Sequence, residues 1–198
     1  MSLREATPQL DRPGAGIPFF ERMVARYVLL PRLVWRRDWE DARALFEKEQ
    51  KKILLISAGL SEEQMDLKVL IDRIRGIEDS SRFWSVSMTM EHLEVVGRAI
   101  TAIICDLAND KQPSIEVDIA NAKPKKNHNA KSARADFEKF CIESMNEINT
   151  RAVNKNSRLK FPHPWFGPLS AHQWHGLMAA HQALHRKQIQ LIVDGLGH

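Results

Sequence analysis

The chain has 198 residues, 43% of them hydrophobic and 27% charged, a balance that suits one globular domain with a core of its own. A formal charge of +4 does not by itself argue for nucleic acid, and two scattered cysteines, Cys105 and Cys141, read as small buried apolar groups rather than a disulfide framework. No run reaches the roughly 20 apolar residues that span a bilayer, and the start, MSLREATPQLDRPGAG, lacks an apolar signal core, so a cytoplasmic protein is expected.

Residues 1–16 are polar with Pro and Gly, and they read as a flexible arm before a single domain, 17–198. From Phe19 to Val34 the pattern is apolar and helix-compatible, with a break or kink at Pro31. The run WEDARALFEKEQKKILLIS sets Ala44, Leu45, Ile53 and Ile56 between charges, which predicts an amphipathic helix ending near Gly59. At LSEEQM a helix restarts. Ser61 can cap it, Gln64 can close a capping box, Leu60 and Met65 can form a staple, and the expected end is near Gly76.

The clearest helix is predicted over 82–109. Phe83, Val86, Met90, Leu93, Val96, Ile100, Ile104 and Leu107 fall at three- and four-residue steps. Residues 110–130, with two prolines and the short alternation IEVDI, predict a long loop containing an extended piece. A further helix is expected from Ala130 to Val153, with Phe137, Phe140, Cys141, Ile148 and Ala152 on its apolar side. Pro162, Pro164 and Pro168 make KNSRLKFPHPWFGPL irregular. The last helix opens with Ser170 as cap, Gln173 at N3 and Leu169 able to staple onto Trp174, and it runs to about Val193. Four long helices without convincing strands or repeats predict an all-α four-helix bundle with additional short N-terminal helices.

The last helix carries LMAAHQALHRKQIQLIV, in which His181 and His185 share a stripe with Trp174, Met178, Gln188 and Ile192. Two imidazoles on an apolar face need partners for their ring nitrogens, and one metal ion can serve both at this i,i+4 spacing. The alternative is a hydrogen-bonded pair tied to Gln188 or a buried water. A third ligand is wanted for a catalytic centre. His172 has poor reach, His175 points to another side, and His128 sits in the basic loop. His163 lies between prolines, where it could fold over a cavity. His92 has Met88, Val95, Val96 and Ala99 near its face and can look inward. The expected metal ligands are therefore His92, His181 and His185.

These pieces resemble the DinB/YfiT-like metal-binding four-helix bundles, over roughly residues 35 to 194. RFWSVSMTMEHLEVVG is similar to the element that carries the first histidine, with Trp84 ahead of His92. AAHQALHRKQ is similar to the paired-histidine element, and HPWFGPLSAHQW to the lead-in of one subgroup. Leu184 stands where many members of that subgroup have a further histidine. The resemblance implies one divalent ion (zinc, nickel or iron), often a dimer, and in some members transfer chemistry on low-molecular-weight thiols.

The function expected is a divalent-metal-binding protein, with a metal-dependent transferase or hydrolase activating a small thiol or water. The alternative is a non-catalytic metal-binding or stress-related structural protein. The expected partner is a small molecule, a thiol or an anion. Neither specific nucleic acid nor membrane is expected, and a homodimer is possible by the resemblance alone. Lys123, Lys125, Lys126, Lys131 and Arg134 could draw an anionic substrate, but the reading preferred for them is a solvated loop. Glu91 and Glu94 beside His92 read as surface charges, not a general base.

Overall fold

The computed structural model describes residues 8–115, 122–124 and 130–197. In chain order the elements are α1 (Phe19–Val24), a π turn (Ala25–Leu29), α2 (Leu30–Leu33), α3 (Trp39–Ser57), α4 (Glu62–Asp66), β1 (Val69–Leu70), a 3-10 turn (Asp79–Ser81) and β2 (Phe83–Trp84). There follow α5 (Val86–Leu107), α6 (Ala130–Arg151), β3 (Lys160–His163), β4 (Gly167–Ser170) and α7 (Ala171–Gly195). The bundle is α3, α5, α6 and α7. Helix α7 lies against α3 and α5, while α6 closes the ring against the same two.

Each bundle helix buries one stripe. Helix α3 turns inward Trp39, Ala42, Phe46, Glu49, Ile53 and Ser57, a run of three- and four-residue steps. Of the four residues that sequence spacing placed on this face, only Ile53 is fully inside; Leu45 and Ile56 pack at its flank, and Ala44 is exposed. Met90, Leu93 and Ile104 of α5, Phe137, Phe140 and Ile148 of α6, and Trp174 and Ile189 of α7 complete the interior. Phe46 and Phe140 meet edge to face, centroids 6.4 Å apart, joining α3 to α6. At the α5–α6 crossing Gly97 leaves room for the Phe140 ring, since a Cβ there would lie 2.1 Å from the ring.

The helix starts follow side-chain chemistry. Asp38, Ser61, Ser85 and Ser170 each accept an N–H of the first turn, and Ser61–Gln64 and Ser170–Gln173 are full capping boxes. Helix α4 stops at Asp66 rather than near Gly76. Leu67 is extended, and Val69 and Leu70 pair antiparallel with Trp84 and Phe83. That pairing also moves the start of α5 to Val86, with Ser85 as its cap.

The proline-rich run is not irregular. Strands β3 and β4 form an antiparallel hairpin in which Pro162 faces Pro168 and His163 faces Gly167. In a two-stranded ribbon each strand has an open edge, so a residue without an N–H is tolerated. Gly167, at φ 76°, makes the left-handed turn out of the loop. Near the start of the chain, the π turn directly precedes Pro31, and the helix continues through it with a changed pitch. The extended piece expected at IEVDI, and His128, Lys125 and Lys126, lie outside the described residues beyond Ile115. Among the described residues no helix is long and apolar enough to cross a membrane.

Candidate metal centre

Helix α7 presents His181 and His185 one turn apart, and α5 brings His92 across from them. Ring centroids are 5.2 Å apart for His92–His181, 4.6 Å for His92–His185 and 4.5 Å for His181–His185. One nitrogen from each ring falls within a set whose members lie no more than 4.8 Å from one another. The Nε2 atoms of His92 and His181 are 3.2 Å apart. Two nitrogens bound tetrahedrally to zinc at about 2.0–2.1 Å would be separated by about 3.3 Å.

The other ring nitrogens determine which way these face. His92 Nδ1–H donates to the Ala122 carbonyl at 2.6 Å. His185 Nδ1–H donates to Gln188 Oε1 at 2.6 Å, and the Gln188 amide donates in turn to the Ser81 carbonyl at 2.7 Å. Both acceptors are oxygens, so the Nδ1 protons are required and the Nε2 lone pairs are free to bind. Metal-bound histidines are oriented by such outer hydrogen bonds. Burial holds the rings neutral. It lowers His92 to about 4, and His181 and His185 lie well below the usual imidazole range, with the neighbouring rings pushing the same way.

Trp84 walls the site. Its ring is 5.2 Å from His92 and stacks parallel to His185 at 6.4 Å. Lys123 Nζ lies 5.3 Å from the Trp84 ring, bonds the Ser80 and Ser81 hydroxyls, and forms an ion pair with the buried Glu78. Glu78 also receives the Gly14 and Gly16 N–H groups of the arm, at 3.3 and 2.7 Å. Lys123 and these hydrogen bonds lower the Glu78 carboxyl despite its burial. Lys123 is thus neither a solvated loop charge nor a free anion receptor. Arg134 is likewise engaged, with the Ser57 carbonyl.

The triad opens into a cavity of about 490 Å³. His181 is the partly exposed member, and it lines this space together with His92 and His185. His163, on β3, also lines it, stacked on Phe166 at 4.6 Å and 5.3 Å from Trp174. Its Nδ1 accepts the Trp165 N–H at 3.1 Å, and burial lowers the ring to about 4. It stands over the cavity and outside the ligand set.

The remaining histidines go elsewhere. Exposed His172 contacts the Arg37 carbonyl through Nε2 at 2.8 Å. His175 is buried against Trp39 at 4.3 Å, with both ring nitrogens unpaired among the described residues. Glu94 pairs with Arg98 on the outer side of α5. Three parts of the site had no signal in the sequence. The Ala122 carbonyl is backbone. Glu78 and Ser81 lie in a stretch without periodicity, and only the fold shows that they reach the triad.

No protein-family model matches the chain, and no curated protein matches it. Among solved structures the chain is similar to TT2238, described as a four-helix bundle protein. The TM-score is 0.54 at 19% identity, over 77% of this chain and 97% of that one, a likeness that concerns the fold.

Proposed function

We propose that His92, His181 and His185 bind one divalent ion of the zinc, nickel or iron class, and that the protein is a metal-dependent transferase or hydrolase of the DinB/YfiT-like kind. The observation that carries this reading is the orientation of the rings. Two Nδ1 protons are committed to the oxygens of Ala122 and Gln188, which leaves the Nε2 lone pairs of His92 and His185 free, in a triad whose ligand nitrogens lie within 4.8 Å of one another. Imidazole suits all three metals.

Held by His92, His181 and His185, three neutral ligands, an ion would keep its full charge and would supply the acidification of a thiol or a water. The chain's own part is to hold the rings, exclude bulk water with Trp84 and Trp174, and give the ligand one open side. Glu78 is unsuited as a proton acceptor because Lys123 and two backbone N–H groups occupy it. The cavity favours catalysis over a purely structural clasp, since structural sites close all four positions with protein.

Elemental analysis of the purified protein should find about one ion per chain, and His181→Ala should lower occupancy sharply. Unchanged occupancy in that variant would remove His181 from the site.

A further inference from the structure

The walls around the triad are made of hydrocarbon. Leu30, Ile77, Ile100, Ile103, Leu177 and Trp174 line the cavity. Among the described residues the charged members of its wall are Glu78 and Lys123, and they neutralise each other. The Ser81 hydroxyl is taken by the same lysine. Among the described residues the wall therefore offers no unmatched charge to a carboxylate, an ammonium or a phosphate on a ligand body. A polar body would lose its hydration and find few partners, and that is costly. An alkyl or aryl body would leave water and gain contact on several sides.

We propose that this cavity binds the apolar body of the substrate, so that the triad acts on a lipophilic thiol rather than on a small hydrophilic or charged one. This rests on the metal reading for the thiol head, but not for the body. The size fits, because about 490 Å³ falls within the range of roughly 300–1,000 Å³ that encloses a small organic ligand. Val95 and Ala99, both exposed on α5 one and two turns from His92, also line the cavity.

The test uses two thiols with the same head. Protein loaded with cobalt(II) is titrated with ethanethiol and with 1-hexanethiol, read by the thiolate-to-cobalt absorption. A buried methylene gives roughly a fourfold gain in affinity. Four extra methylenes should therefore bring a gain of at least about thirtyfold, allowing for partial burial. Ala99→Trp, at an exposed position on the cavity wall, should narrow the cavity and collapse that ratio toward one while cobalt content stays unchanged. Equal affinity for the two thiols overturns the proposal and leaves the metal reading standing.

Chelator-treated protein separates the two ideas. There 1-hexanol should raise the thermal midpoint of the parent protein and not that of Ala99→Trp. A shift without any cobalt binding supports the cavity and overturns the metal. No shift in either protein overturns the apolar cavity.

Discussion

Gln188 performs two tasks with one side chain. Its oxygen accepts from His185 and its nitrogen donates to the Ser81 carbonyl, which keeps the amide from turning over. Replacing it by Leu removes the acceptor that fixes the His185 tautomer. Competition with a chelator should show ion affinity falling by about 10- to 100-fold in Gln188→Leu, the usual effect of losing such an outer contact. Gln188→Glu keeps an acceptor in place and should lose much less. His175 makes a different test. Its ring is buried on Trp39, and burial lowers it to about 4, helped by His172, Lys155 and Arg43 and opposed by Glu40. The unfolded chain takes up a proton near pH 6.5, while the folded one resists until about 4. The stability this site lends is thus whole above about pH 6.5 and is lost as pH falls toward 4, up to about 3 kcal/mol. Denaturant melts at pH 7 and pH 4.5 should show His175→Phe losing less on acidification than the parent protein. At pH 7 the variant should be equal or more stable by about 1 kcal/mol, because two unpaired nitrogens disappear.

Elements are held at a few crossings. At Gly97 the Phe140 ring occupies the space of an absent Cβ, so Gly97→Ala forces α5 and α6 apart or turns the ring off its rotamer. A loss of about 1–3 kcal/mol is expected in denaturant melts, against the small gain that Ala usually brings inside a helix. The second crossing is Glu78, which ties the arm to the segment 122–124. Glu78→Gln keeps the shape and removes the charge that holds Lys123. Faster hydrogen exchange at Gly14 and Gly16 should report the loosening. Helices with strong caps and clear stripes were legible in the sequence, because capping and amphipathic period are local. The hairpin at Lys160–Ser170 was not. Three prolines remove the usual strand cues, and its register depends on packing beside α5 and α7, which distant residues supply. The short α4 was over-extended for the same reason, since the β1–β2 pairing that follows it needs partners from further along the chain, Trp84 for Val69 and Phe83 for Leu70.

For the whole molecule, fold and ion are separable. The interior of Trp174, Phe46, Phe137 and Phe140 is complete without the triad, so chelator-treated protein should keep its helical circular dichroism. Adding zinc should raise its thermal midpoint by mass action, increasingly with free ion concentration. A midpoint indifferent to zinc would mean that the native state does not bind it. The His181–His185 pair was legible because helical spacing alone puts both rings on one side, and His92 because its one-turn neighbours are apolar. What orients His92 and His185 was legible in part: Gln188 shares the stripe of His185 on the last helix, whereas Ala122 and Ser81 are brought to the site by the folded chain.

The three imidazoles are not mounted alike. Two stand on one unbroken helix at a spacing the backbone guarantees, and the third leans in from α5 with its tilt set by the carbonyl of Ala122. An incoming cation would meet a two-pronged seat and a single latch. Deleting the latch should leave a shallow, quickly exchanging perch; deleting either half of the seat should leave nowhere to land.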